Sequence, residues 1–404
     1  MKRIFAVLLA IHGVIHFVVA AKASHYTGLL ELSRPISREM GVLWLAAGAL
    51  VVVTALLVIL WPGKWWTVGG LAVIASQAAV TSASGPSWAA GTVVNLVVLA
   101  AVTYAFLTNG PWSYRAQFEQ DIDRHLRRSM DAGTVTDEQV GQLPTAVQRY
   151  LRGVGAVNVP GVRNYRIRFR GRIRSSPGAH WMPFTAEQQS FTDPPARLFL
   201  MHARMLGVPI EAFHRFVDGH ATMQVKIAGV YQLVDARGDV MDRSETVTLF
   251  NDMCLLAPAT LIDPAIDWEA VDSTTVRARF HTVGQTIAAT LSFGADGLLS
   301  NFVSDDRARS SSDGKTFTGL RFSTPVRWYK PLGHFVDRGR STAKSEIGEV
   351  RLAAYGDARW SLPEEEFTYA EFEILSVGYN VPRRPAAEND QPVATPAASS
   401  PAAL

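Results

Sequence analysis

Residues 88–128 read WAAGTVVNLVVLAAVTYAFLTNGPWSYRAQFEQDIDRHLRR, and the fold is decided by how this stretch is read. Its first half, 88–107, is an apolar run without a charged residue, flanked by Trp88 and Trp112. Asn109-Gly110-Pro111 supplies a turn. Beyond it Tyr114, Phe118, Ile122, Leu126 and Met130 recur every four residues among Arg115, Arg124, Arg127 and Arg128. That is an amphipathic basic helix, suited either to a membrane surface or to the domain that follows. Everything before this stretch reads as membrane, and everything after it as a strand-rich domain.

Working back toward the N-terminus, a hydrocarbon core about 30 Å thick is crossed by about 20 apolar residues in helical form. Four segments of the 404-residue chain meet that need, at roughly 4–21, 40–60, 65–82 and 88–107. They predict an all-α four-helix transmembrane bundle over residues 1–110. Trp61, Trp65, Trp66, Trp88 and Trp112 fall at segment ends, where the ring suits the headgroup layer. The third segment is the most polar, with Thr67, Ser76, Gln77, Thr81 and Ser82. Met1-Lys2-Arg3 before an apolar run resembles a cleavable signal. His12 and His16 inside the run, and the spans that follow, favour a retained anchor.

Basic residues set orientation. Lys2, Arg3, Lys64, Arg115, Arg124, Arg127 and Arg128 lie on one side of four spans, against Lys22, Arg34 and Arg38 on the other. This predicts a multi-pass protein of the bacterial cytoplasmic (inner) membrane, with the C-terminal domain cytoplasmic. Loss of the third span would reverse that placement. Polar side chains within spans are costly, which singles out His12, His16, Gln77 and Asn95. His12 and His16 share one helix face and would serve as a ligand pair, a proton relay or interhelical hydrogen-bond partners. Two histidines without a carboxylate in any span make a thin metal site, so no metal or cofactor is expected.

Residues 111–160 predict a helical connector, with Thr136 and Gln139 forming a capping box and a short helix carrying Val147, Tyr150, Leu151 and Val154. From Tyr165 the period changes to two. Arg166, Arg168, Arg170, Arg172 and Arg174 alternate with Tyr165, Ile167, Phe169, Gly171 and Ile173. A strand would therefore carry five arginines along one face over roughly 27 Å. Two partners suit them: anionic lipid headgroups, or the alternating Glu371 and Glu373 of a later strand. Nucleic acid fits poorly, because the net charge is only +3 and no exposed aromatics interleave.

Further strands are readable at 184–191, 197–205, 210–217, 221–227, 230–235, 276–281, 286–293, 298–305, 316–327, 349–354 and 367–377, interrupted by a helix at 244–257. The expected fold of residues 161–380 is α+β and mainly antiparallel: a curved sheet or half-barrel with one inserted helix. Phe250, Met253 and Cys254 on the helix's apolar side are candidates to line a cavity. Residues 381–404, rich in Pro, Ala and Ser, predict a disordered tail.

Leu143-Pro144, Val147 to Leu151, Trp181 to Ala186, Trp268, Phe293 with Gly297-Leu298, Gly348-Glu349-Val350 and a last strand reaching Tyr379 together resemble an uncharacterised family of bacterial membrane-associated proteins, a domain of unknown function. The resemblance covers roughly residues 140 to 380. It departs at Asp252 to Leu256, where that family usually has a tryptophan. The plan is also similar in architecture to lipoprotein-carrier half-barrels, which hold acyl chains.

No phosphate loop, zinc motif, nucleophile elbow or paired-cysteine site is present, and no catalytic residue is assigned. Cys254 is the single cysteine and excludes an intramolecular disulfide. His202, His214 and His220 match no standard metal spacing, and Asp263, Asp267 and Glu269 read as a solvated loop. The expected function is binding of a membrane lipid or other apolar ligand. Binding of a protein partner by a structural or regulatory membrane protein is the alternative, and a lipid-modifying enzyme the third.

Overall fold

The computed structural model describes residues 2–23, 37–82, 87–128, 133–336 and 349–382. Arg34, Met130 and residues 383–404 of the tail expected over 381–404 lie outside them. Contacts divide the chain into two units, one within residues 1–116 and one within 117–383.

In the first unit α1 (Lys2–Ala23), α2 (Arg38–Leu60), α3 (Trp65–Ser82) and α4 (Ser87–Asn109) pack in chain order. Among the described residues three stretches are long and apolar enough to cross a membrane: Lys2–Ala21, Arg38–Leu60 and Ala89–Arg128. The 18-residue α3, expected as a fourth span, is not one of them. Its polar residues explain why. The unit exposes apolar side chains such as Val7, Val42, Leu71, Ile74 and Val97, and its interior holds His12, His16, Ser76 and Asn95 among buried apolar residues such as Leu9, Val51 and Val98. α1 and α2 approach closely at Gly13 and Gly48; a Cβ on Gly13 would stand 2.6 Å from the Val52 side chain.

The second unit takes in most of α5 (Tyr114–Arg128), then α6 (Asp137–Gly141) and α7 (Thr145–Val154). α5 packs on the sheet through buried Phe118, edge-on to Phe213 at 6.3 Å, and through Asp121, which accepts from Arg215 at 2.6 Å. Of the two placements open to this helix, its apolar stripe takes the domain. Thr136 and Gln139 form the reciprocal capping box of α6.

The strands are β1 (Asn164–Ile173), β2 (Met182–Thr192), β3 (Pro195–Met205), β4 (Val208–Val217), β5 (His220–Ile227), β6 (Tyr231–Arg237), β7 (Ile266–Ala270), β8 (Thr275–Thr282), β9 (Gln285–Phe293), β10 (Leu299–Ser304), β11 (Ala308–Ser310), β12 (Phe317–Gly319), β13 (Phe322–Ser323), β14 (Val326–Phe335), β15 (Val350–Ser361) and β16 (Glu366–Tyr379). Among the described residues fourteen form one mostly antiparallel sheet in the order β6-β5-β4-β3-β2-β1-β16-β14-β15-β13-β10-β9-β8-β7, and β15 also pairs with β16. β11 and β12 pair separately. The strand expected over 316–327 is divided between β12, β13 and the start of β14. Thr324-Pro325 interrupts it, since proline has no N–H for the ladder.

Helix α8 (Asp239–Leu256) connects β6 to β7, the two edge strands. It touches β5 and β6 near one edge, β9 and β10 near the other, and β15 between them. One helix reaches all three places only if the sheet bends around it. The sheet is curved and open, with α8 along its concave side. Both sides of α8 are buried. One is apolar: Phe250 stacks on Phe280 at 5.1 Å and meets Phe302 edge-on at 5.8 Å. The terminal carbonyls, which have no partner within a helix, accept from buried tyrosines: Tyr150 Oη to Cys254 O at 2.8 Å, and Tyr379 Oη to Leu256 O at 2.7 Å.

Candidate functional site

Between α8 and the concave face of the sheet lies a cavity of about 830 Å³. Alternation dictates its wall. Phe169 of β1, Phe184 of β2, Phe199 and Met201 of β3, and Phe372 and Ile374 of β16 project inward, so their neighbours in sequence project outward. Gly171 falls in the inward series of β1, where a Cβ would stand 2.7 Å from the Phe184 ring; the missing side chain makes room for that ring. Trp360, Phe367 and Phe322 continue the apolar wall.

α8 presents its polar side to this space. Ser244 and Glu245, Thr248, and Asn251 and Asp252 line the cavity from three successive turns, with Met241, Leu255 and Leu256 at the ends of the row. This corrects the expected lining. Phe250, Met253 and Cys254 are buried on the other side of the helix against β8–β10, and burial holds the Cys254 thiol well above its usual range.

The polar side is tied to the sheet by one buried arginine. Arg197 of β3 donates through Nε to Asp252 at 2.6 Å, through Nη1 to Glu245 at 3.1 Å and through Nη2 to Gln188 Oε1 at 3.0 Å. Gln188 Nε2 donates in turn to Asp252 at 2.7 Å, and His214 Nδ1 lies 3.2 Å from Glu245. Burial alone would raise the Glu245 carboxyl. Arg197 and His214 outweigh it and hold the group down at about 2. A buried charge without a partner is expensive, so this network fixes α8 at one height above the sheet.

At one rim Arg174, Arg307 and Arg309 enter the lining. Arg174 lies over Trp181 at 4.5 Å and Phe367 at 5.1 Å; Arg309 lies over Phe367 at 5.5 Å and donates to Ser175 O at 2.6 Å. Arg307 sits over Phe322 at 4.1 Å and Trp360 at 5.1 Å and donates to Tyr369 Oη at 2.9 Å.

The conspicuous arginines of β1 lie elsewhere. Arg170 grips Glu373 with two bonds of 2.6 and 2.8 Å, and Arg172 grips Glu371 at 2.7 and 2.8 Å, all on the outer face. Arg166 donates to Gln189 at 3.2 Å, and Arg168 stands opposite Glu187 and Ser376. Of the five, only Arg174 reaches the cavity, because the strand ends there. His202, His214 and His220 do not gather: each faces its own carboxylate, Glu211, Glu245 or Asp242. Asp267 and Glu269 belong to β7 rather than to a loop.

In the first unit the four polar residues singled out do meet. His16 Nε2 lies 2.7 Å from Ser76 Oγ, and His12 Nε2 is 3.3 Å from both Ser76 Oγ and Asn95 Oδ1. Asn95 Nδ2 donates to Gln77 Oε1 at 3.0 Å. Among the described residues no three His, Cys, Asp or Glu side chains gather as metal ligands.

Sequence alone missed Arg197, Gln188, Glu245 and Asp252. Their signal is faint but physical. From residue 244 to 257 the helix carries no lysine or arginine, although a face in water usually would.

Residues 133–372 match a family of unknown function (DUF6544), and the chain belongs to that family. No curated protein matches it in sequence. Among solved structures, a DUF1329 family protein from Desulfovibrio piger shares 12% identity over 58% of this chain and 92% of its own, with a TM-score of 0.32. A putative outer membrane lipoprotein-sorting protein domain from Vibrio parahaemolyticus shares 8% identity over 58% and 91%, with a TM-score of 0.31. Likenesses this distant transfer no residue roles.

Proposed function

We propose that this protein is a membrane-anchored binder of a lipid or similar amphiphile, held between α8 and the concave face of the sheet. The observation that carries the reading is the cavity of about 830 Å³ and its aromatic and methionine wall. Small-molecule sites occupy about 300–1,000 Å³ and are mostly apolar with a few placed polar groups. The aromatic and methionine side of the space suits an acyl chain, and the polar groups of α8 with the arginines at the rim suit a polar head.

The membrane anchor is the second half of the proposal. Three apolar stretches of spanning length, and a helical unit with exposed leucine and valine that keeps its histidines buried, support a multi-pass inner-membrane protein. If α3 also crosses, as a fourth span of the unit, the excess of basic residues near Lys64 and Arg115 supports a cytoplasmic position for the β-rich domain; with three crossings the domain lies on the other side. In this reading the outer arginines of β1 stabilise the sheet, and the ligand's polar end meets the cavity's own groups.

Lipid extraction from the purified full chain, followed by mass spectrometry, tests the reading. An amphiphile retained in stoichiometric amount is expected. A lipid-free chain that also fails to take up an apolar fluorescent probe would overturn it.

A further inference from the structure

The cavity's apolar wall says nothing about the ligand's head, but its charges do. The carboxylates that line it are Glu245, Asp252 and Asp357. Glu245 and Asp252 are taken by Arg197, and Asp357 by Arg327 at 2.8 Å and Arg359 at 2.6 Å. Arg174, Arg307 and Arg309 have no carboxylate within ion-pair distance among the described residues. Their hydrogen bonds go to backbone carbonyls and one tyrosine hydroxyl, and Arg307 Nε is buried with no acceptor at all. Three guanidinium groups thus gather on the Phe367–Trp360 aromatic platform without an ion-pair partner, and only Arg307 feels a lining carboxylate, Glu245, at longer range. From these observations, and resting on the binding of an amphiphile in this cavity, we propose that the ligand's head is an oxyanion, phosphate or carboxylate, seated on Arg174, Arg307 and Arg309. Arginine forks suit this geometry because they donate paired N–H bonds to two oxygens at once.

The position of this cluster fits delivery from a bilayer. Strand pairing places Ile173 beside Met182, Met205 beside Val208 and Ile227 beside Tyr231, so the end of β1 shares a rim with the β3–β4 and β5–β6 hairpin tips. Those tips hold out Leu206, 99% exposed, with Val230 and Tyr231. Leu206 also has a φ of 51°, a backbone region where Asn or Gly is ordinarily favoured. A leucine kept there in water has no packing reason, whereas the interfacial layer of a membrane supplies one. Arg204 flanks the same tip. The ligand's tail lies along the aromatic wall and its head stays at the rim.

Native mass spectrometry of the full chain, offered phosphatidic acid and diacylglycerol of identical acyl chains in equal amounts, tests this. The full chain should retain phosphatidic acid about tenfold over diacylglycerol, the worth of one charge-assisted hydrogen bond. Arg307→Gln with Arg309→Gln should bring the two lipids near parity without abolishing retention. Arg307→Lys with Arg309→Lys should keep most of the preference, separating lost charge from lost folding. Equal retention of both lipids by the unaltered chain would overturn the headgroup site and leave the cavity reading standing; retention of neither would overturn both. Displacement of phosphatidic acid by excess inorganic phosphate would assign the arginines to a free anion and overturn the lipid source. Loss of preference in Arg170→Gln with Arg172→Gln, but not in the rim pair, would also overturn it.

Discussion

The outer face of β1 and the rim of the cavity both carry arginines, under opposite electrostatic conditions. On the outer face Arg170 and Arg172 each close a two-bond fork on a glutamate of β16. At the rim Arg174, Arg307 and Arg309 lie over aromatic rings without a carboxylate. The outer set is plain in the sequence as a run of alternating arginines, and it is the neutralised one. The rim set is assembled from distant segments, Arg309 reaching Ser175 across 134 residues, and it is the one left charged. Charge that has no partner marks a site better than charge that is merely dense.

That contrast breaks most sharply at Arg197, the buried arginine that satisfies the cavity's interior. Arg197→Met should destabilise the full chain by roughly 3–5 kcal/mol, because it strands two buried carboxylates. Denaturant unfolding followed by tryptophan fluorescence measures this; a loss under about 1 kcal/mol would mean the network is not formed.

Next in size is the anchorage of α8. Tyr379→Phe leaves the Leu256 carbonyl buried without a donor and should cost about 1–3 kcal/mol in the same assay. Tyr150→Phe should act similarly at Cys254. No change in either would detach the tyrosines from the helix terminus.

The interior pairs also predict a pH dependence. Glu245 is depressed from 4.5 to about 2, so its stabilising contribution is complete above about pH 4.5 and is lost as pH falls toward 2. Glu245→Gln should remove that part of the acid-induced loss. An unchanged acid profile would contradict the assignment. The smallest effect is expected outside: Arg170→Gln should change stability by no more than about 1 kcal/mol, since half-exposed ion pairs contribute little. A larger loss would make the two arginine sets energetically alike.

Local features were legible in the sequence. The period-two run at Tyr165–Ile173, the capping box at Thr136 and the apolar helices needed only neighbours within a turn or two. The strand at Val326–Phe335 was not readable, because Pro331 and Gly333 break its pattern and its pairing with β15 and β16 is supplied by segments beyond residue 349. The role of the polar side of α8 is hidden from the sequence for a related reason. Glu245 and Asp252 look like a solvent face until Arg197, 48 and 55 residues earlier, is brought against them by the bend of the sheet. Burial of both helix faces is a property of the sheet's curvature, which no single segment encodes.

Whether the space under α8 holds an amphiphile is read from the lipid content of a variant in which that space is reduced. Met201 and Met223 both line the cavity, so Met201→Trp with Met223→Trp occupies it from within. The unaltered full chain should retain a stoichiometric amphiphile through purification, and the filled variant should retain little while melting no lower. Equal lipid in both would show that the amphiphile lies outside this cavity.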